Sequence, residues 1–294
     1  MPMSPGRGGF AHPEALCSVD WLEAHLYDAD LRILDGSFFL PGSCRDPGDE
    51  YAAAHIPGAR FFHIDGICDP ASELPHMLPS PELFAERVGA LGIDNGSSIV
   101  VYDQPGSCAA ARVWWTFRCF GHPRIAVLDG GLASWTARGL PVTDAPARTL
   151  PAQFRPHFDP ALVRSLDEVL AVLGNLSVQI ADCRPVGRYA GDDPEPRPAK
   201  RRGHVPGAHS LPFTSFIDPA RNGAWRPADE LSSAFANAGI DVARSLVAYC
   251  GSGVTACTAA FAAHLIGFDH VAVYDGSWAE WGNRDDVPVE KPGS

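Results

Sequence analysis

Several features are missing from this 294-residue chain, and each absence excludes something. No run approaches the roughly 18 apolar residues a membrane helix needs, so a helical membrane protein is not expected. The opening stretch, MPMSPGRGGFAHPEAL, is rich in Gly and Pro and lacks the apolar core of a secretory signal. It is expected to fray. An excess of positive charge is also missing. Lys and Arg number 23 against 35 Asp and Glu, a formal net charge of −12. That argues against nucleic acid or an anionic membrane as partner. The eight cysteines (17, 44, 68, 108, 119, 183, 250 and 257) form no C-x-x-C and no Cys/His cluster of zinc-ligand spacing. Neither a metal centre nor a disulfide framework is therefore expected. The expectation is a cytoplasmic protein with reduced thiols, most of them packed as small hydrophobes.

What the chain does contain is a repeat. AHIPGA (54–59) matches GHVPGA (203–208), LGIDNGSSIVVYD (91–103) matches AGIDVARSLVAYC (238–250), and AVLDGGLASW (126–135) matches AVYDGSWAEW (272–281). The offsets are 149, 147 and 146 residues, in the same order, which marks a duplicated domain rather than a solenoid. In each copy, short apolar runs (LRILD and VQIAD, SIVVY and SLVAY, IAVLD and VAVYD) suit strands buried on both faces of a parallel sheet. Helical patterns separate them. SPELFAERVGALG has Pro81 near its start and Gly92 past its end, and ADELSSAFANAG is its counterpart. The fold class is α/β, with two tandem domains, each a mostly parallel sheet flanked by helices. The expected boundaries are 15–143 and 164–290, joined by a Pro-rich linker over 144–163 draped on the surface.

The chemistry should lie beyond the carboxyl ends of the strands. One cysteine stands there, in YCGSGVTA (249–256). Cys250 is either a packed thiol in a strand-to-helix turn or a nucleophile. The loop residues Gly251, Gly253, Val254 and Thr255 offer backbone N–H groups, and a helix follows, with Val254, Cys257, Phe261 and Leu265 at helical spacing. Both features favour a thiolate and would hold an anionic adduct. The other copy has Asp103 at the same position, so the turn does not require cysteine. That favours the nucleophile, with the first copy chemically silent. A cysteine phosphatase would need Arg six residues after the Cys to grip phosphate. Ala256 stands there, which disfavours that activity.

With HIPGA/HVPGA, YDGSWAEW and the cysteine loop in view, the chain resembles the two-domain rhodanese-type sulfurtransferases. The resemblance implies a silent first copy and a second copy whose Cys250 becomes a persulfide. CGSGVT looks like the loop of the branch that uses 3-mercaptopyruvate, whereas thiosulfate-using members place basic residues after the cysteine. In GRYAGDDPEPR, Arg188 and Arg197 match the two arginines that bind the keto-acid carboxylate and carbonyl. FFHID and PHMLP supply Asp65 and His76, which the resemblance joins to Ser252 in a proton relay. It further implies a small-molecule sulfur donor, release of pyruvate, and cyanide, a small thiol or a thioredoxin-like dithiol as acceptor. No cofactor is implied. Thiosulfate as donor, and a non-catalytic persulfide carrier or docking module, are the alternatives.

Each residue also has a plainer reading. Arg188 could be a surface ion pair, Arg197 a solvated loop residue and His76 a packed one. His55 and His204 begin both H-x-PGA turns and read as structural, as do Trp135 and Trp281. Trp278 is core or a wall of the pocket, and Cys257 is packed. Phe38 stands where the family usually has Trp. The basic AKRR stretch (199–202) reads as a solvated loop.

Overall fold

The computed structural model describes residues 9–291. The first half contains strands β1 (Leu16–Cys17), β2 (Leu31–Asp35), β3 (Arg60–Phe61), β4 (Ser98–Tyr102) and β5 (Ile125–Leu128). Its helices are α1 (Val19–His25), α2 (Pro47–Ala53), α3 (Pro81–Ala90), α4 (Ala110–Cys119) and α5 (Gly131–Ala137). The second half contains β6 (Val163–Arg164), β7 (Val178–Asp182), β8 (His209–Ser210), β9 (Ile217–Asp218), β10 (Ala224–Trp225), β11 (Ser245–Tyr249) and β12 (Val271–Tyr274). Its helices are α6 (Leu166–Val172), α7 (Val186–Ala190), α8 (Ala228–Asn237), α9 (Ala256–Leu265) and α10 (Ser277–Trp281). The two five-stranded sheets run β1-β5-β4-β2-β3 and β6-β12-β11-β7-β8, the same order twice. All their pairings are parallel, and β9 and β10 form a small antiparallel pair.

The central strands are where the apolar runs put them. Ile99–Tyr102 and Leu246–Tyr249 are buried, as strands covered on both faces must be. The register of β11 on β7, Ser245 opposite Val178 through Tyr249 opposite Asp182, sets Cys250 just past the sheet edge. Helix α3 starts as its sequence predicts, with the Ser80 side chain accepting from the Leu83 N–H and Pro81 in the first turn. The H-x-PGA turns are structural in both copies. His55 stacks on Tyr51 (4.2 Å) and His204 on Tyr189 (3.8 Å), and each ring nitrogen Nδ1 lies on the carbonyl of its tyrosine. Trp135 and Trp281 likewise donate to matching carbonyls, of Pro141 and Pro288.

Helices α4 and α9 pack against each other and fuse the halves into one core. The sequence predicts an apolar stripe on α9. In fact nine of its ten residues are buried, because the first half covers the face that a single domain would expose. Trp114 meets Phe261 edge-on across this seam, at 4.9 Å between ring centres.

Two expectations change. Residues 1–8 of the opening stretch lie outside the described residues, but from Phe10 onward the chain is docked. Phe10 packs on the core, the Ala11 N–H donates to Leu265 O (2.8 Å), and β1 forms a sheet edge. The segment 144–163 is also tied down along part of its length. Phe154 is buried against Phe84 and Phe117, and the Ala152 N–H donates to Gly89 O. All eight cysteines are free, and five of them are buried. No helix among the described residues is long and apolar enough to cross a membrane.

The seam has a pH-sensitive member. His264 stacks on His12 at 4.2 Å and leans on Trp114 at 5.1 Å. Burial, then Arg118 and His12, push its pKa down to about 3. The unfolded chain titrates near its ordinary value of about 6.5 and so binds the extra proton between those values. Stability is therefore full above that window and lost as pH falls through it. The wild type should lose up to about 1 kcal/mol per pH unit more than His264→Gln between about pH 6 and pH 4 in urea melts. Equal slopes would remove His264 from the acid response.

Candidate active site

The loop after β11 is shaped by one hydroxyl. The N–H groups of Cys250 and Gly253 both donate to Ser277 Oγ at 3.1 Å, and Ser277 donates in turn to Tyr274 O at 2.8 Å. Ser277 adopts φ +52°, a left-handed conformation that costs a non-glycine residue about 1–3 kcal/mol. The first copy has Gly131 there, at the same φ. Gly253 also has positive φ, +75°, and a Cβ there would lie 2.7 Å from Asp275 Oδ1 and 3.0 Å from the Arg112 guanidinium. A Cβ on Gly251 would lie 2.6 Å from the Arg188 guanidinium. Small residues are thus needed where two arginines press on the loop.

Cys250, Gly251, Ser252, Val254 and Thr255 line a cavity of about 350 Å³ between the halves. Arg188, Glu195, Arg197 and Trp278 come from the second half, and Phe38, Phe39, Arg45 and Cys108 from the first. Gly253, expected among the binding residues, is not in this lining. Its N–H is taken by Ser277 and its carbonyl by Arg112 (3.1 Å), so it shapes the loop instead. Trp278 is buried and forms a wall of the cavity. The AKRR stretch is less solvated than expected. Arg201 donates to the carbonyls of Val287 and Trp281, and only Ala199 reaches the cavity.

The structure brings Asp65, His76 and Ser252 to one place, but not in a direct chain. His76 Nδ1 contacts Asp65 Oδ1. His76 Nε2 accepts from Arg197 (2.7 Å), and the same guanidinium donates to Ser252 Oγ (3.2 Å). Arg197, read as a substrate ligand or a solvated residue, stands between the two. Burial holds His76 below its ordinary pKa and outweighs Asp65, so the imidazole is neutral near pH 7. The contact with His76 in turn keeps the Asp65 carboxyl below its usual range. His76 is buried, packs edge-on against Phe38 (4.7 Å), and has φ +62°. Arg188 is no surface ion pair. Its side chain is 12% exposed and held by Glu195.

Sequence reasoning missed the group that joins these parts. Arg112, on α4, is 3% exposed and donates to Asp275 Oδ1 (2.5 Å), Gly253 O (3.1 Å) and His76 O (2.5 Å). Asp275 Oδ2 accepts from the Leu78 N–H across the interface (2.8 Å). Burial alone would lower the arginine's pKa, but Asp275 more than offsets it, and the net shift is upward. Ser277 was also missed. Its signal was in the repeat, where YDGS faces LDGG and a side chain replaces a glycine.

The loop of the first copy makes a useful comparison. Asp103, half-buried, accepts from the N–H groups of Ala109 (2.8 Å) and Ala110 (3.1 Å) at the start of α4. Burial nevertheless lifts the Asp103 pKa to about 7, so these N–H groups only partly offset the loss of solvent in the copy that lacks the cysteine.

Comparisons with known proteins agree with the duplication. The rhodanese-like domain family matches residues 18–138 and again 165–284. The human 3-mercaptopyruvate sulfurtransferase is 41% identical, over 91% of this chain and 91% of that protein. The thiosulfate sulfurtransferase of Cricetulus griseus is 42% identical, again over 91% of each. The crystal structure of SseA, a 3-mercaptopyruvate sulfurtransferase from Escherichia coli, superposes with a TM-score of 0.82 at 35% identity. It covers 90% of this chain and 98% of that one.

Removing one partner of a buried pair strands the other charge. Arg112→Met should cost about 3–5 kcal/mol of stability in urea unfolding. Adding Asp275→Asn should recover at least about 1 kcal/mol of that loss. Strict additivity in this double-mutant cycle would show that the pair is not coupled.

Proposed function

The chain belongs to the rhodanese-like domain family, and from that premise we propose that it is a 3-mercaptopyruvate sulfurtransferase. The observation that carries the reading is the cavity itself. A cysteine at its floor faces two arginine forks, and its loop supplies no cation of its own. A planar monoanionic keto acid fits guanidinium forks, whereas a dianion would call for more positive charge.

Cys250 thiolate attacks the donor sulfur. The carbon–sulfur bond breaks, its electron pair stays with the carbon, and the sulfur remains on Cys250 as a persulfide. The other product is the enolate of pyruvate, which takes a proton. Arg188 and Arg197 hold the carboxylate and carbonyl. To do so Arg197 leaves His76, and Ser252 Oγ then meets His76 Nε2 directly. As Cys250 ionises, its proton passes through Ser252 Oγ to the lone pair of His76 Nε2, and the same proton returns through Ser252 to the enolate, so His76 ends neutral as it began. Asp65, whose side chain is 51% exposed, links that histidine to bulk water. Backbone N–H groups of Gly251, Val254 and Thr255 stabilise the anionic sulfur, in a turn whose first-copy counterpart directs the Ala109 and Ala110 N–H groups at an Asp103 oxygen. A nucleophile such as cyanide, a small thiol or a thioredoxin-like dithiol then takes the outer sulfur. The free cysteines support a reducing compartment, the cytoplasm. We place the two domains at about 15–143 and 164–290, a little wider than the residues the family matches.

Thiosulfate is the second donor to test, since a thiosulfate sulfurtransferase is among the relatives. We expect a higher kcat/KM for mercaptopyruvate than for thiosulfate, and the reverse order would overturn the donor assignment. Incubation with mercaptopyruvate should add one sulfur by intact mass and release pyruvate, and an acceptor should then remove it. A sulfur that no acceptor removes would identify a carrier instead. Cys250→Ser should abolish transfer, while Asp103→Asn should leave it within about twofold of wild type. Comparable losses would break the division into active and silent copies.

A further inference from the structure

Glu195 lines the same cavity, and the mechanism leaves it unused. Its side chain is 8% exposed. Oε1 accepts from Arg184 (2.6 Å), and Oε2 accepts from Arg188 Nε (2.8 Å) and its terminal nitrogen. Arg184 is fully buried, bidentate to Asp182, and lies 4.2 Å over the Trp278 ring. Asp182, Arg184, Glu195 and Arg188 thus form a chain of alternating charge that ends at the cavity. Only the second copy has it. The first copy keeps the aspartate, Asp35, but carries Ser37 where Arg184 stands, with the same backbone bond to the aspartate (3.0 Å in each).

The charge of the cavity follows. Three guanidinium groups line it, of Arg45, Arg188 and Arg197, against one carboxylate, Glu195. Arg45 is spent on Glu50, which lies outside the lining, through two 2.5 Å contacts. Apart from Cys250, Arg188 and Arg197 against Glu195 leave one net positive charge, that of a single carboxylate's counterpart, and ionisation of Cys250 lowers the total further. A second negative charge on a donor would meet Glu195 in a site with little water to screen it.

We propose that Glu195 determines donor charge specificity. It fixes the Arg188 fork against Gly251 and limits the cavity to one net positive charge, which selects a monoanionic donor over a dianionic one. This rests on the keto-acid reading above.

The test is kcat/KM for mercaptopyruvate and for thiosulfate in the wild type, Glu195→Gln and Glu195→Asp. In Glu195→Gln the mercaptopyruvate value should fall, mainly through KM, as Arg188 loses its anchor. The thiosulfate value should rise. Together the thiosulfate-to-mercaptopyruvate ratio should increase about tenfold or more. Glu195→Asp keeps the charge and should return that ratio to within about threefold of wild type. A ratio unchanged in Glu195→Gln, or raised equally in both variants, overturns the proposal. The change in ratio is read whichever donor the wild type prefers. A wild type that favours thiosulfate would sink the donor assignment and still report on Glu195. If Glu195→Gln does not fold, competitive inhibition of the wild type decides. Pyruvate should inhibit at lower concentration than sulfate, and sulfate inhibiting as well as pyruvate would overturn the charge limit.

Discussion

Everything at this site hangs on one buried ion pair, Arg112 with Asp275. A buried pair contributes little net stability, because desolvating two charges consumes most of the Coulomb attraction. Its value is geometric. A guanidinium is a rigid planar fork, and here its donors reach both halves of the molecule at once. One terminal nitrogen takes Gly253 O and Asp275, from the cysteine half. The other takes His76 O, from the other half. The loop that carries Cys250 and the turn that carries His76 are therefore positioned by the same group. A site assembled from two domains would otherwise inherit every small rotation of one against the other, and catalytic geometry tolerates little of that.

The duplication explains how such an interface is built, and its broken symmetry explains where the chemistry sits. Asp129 Oδ1 accepts from the Trp225 N–H just as Asp275 Oδ2 accepts from the Leu78 N–H, each aspartate reaching into the opposite half. The copies diverge at a few positions. Ser277 and Gly131 share a left-handed backbone, as do His76 and Gly223, which lie five residues before the starts of α3 and α8. In each pair the side chain belongs to the cysteine-bearing site and the glycine to the matching place in the other copy. A side chain there costs backbone strain that glycine avoids. Ser277 shapes the Cys250 loop and His76 meets Arg197, a cavity residue, so both of these strained positions serve the site.

This also shows what a sequence discloses and what it hides. Strands, helices, duplication and Cys250 were legible because they depend on local periodicity and on comparing one copy with the other. Arg188 and Arg197 were legible through the resemblance, yet the ion partner of Arg188 and the wedge made by Arg197 were not. Arg112 was invisible for a physical reason. In AARVWWTF it reads as the polar face of an amphipathic helix, and only the packing of α9 on α4 turns that face inward. The burial of α9 on all sides has the same origin. Long-range closure of the second half on the first is not encoded in any window of residues, although the pairing of YDGS with LDGG carried a trace of it.

The position of Arg197 gives the unfilled cavity a logic of its own. A cation that sits on neutral His76 lowers the basicity of that ring and keeps Ser252 from it. A carboxylate entering the cavity offers Arg197 a stronger, charge-assisted partner than an imidazole lone pair or a hydroxyl. In the mechanism proposed above, exchange of partners then joins Ser252 to His76 only while substrate is bound. Binding energy from the carboxylate, which does not react, is thereby spent on assembling the groups that do. In that mechanism the apolar walls, Phe38, Phe39, Val254 and Trp278, limit competing water while Cys250 carries the persulfide. A neutral loop, a movable arginine and a fixed one anchored by Glu195 are thus parts of a single arrangement. Each would be less useful with the pocket more positively charged, because Arg197 would then have less reason to leave His76.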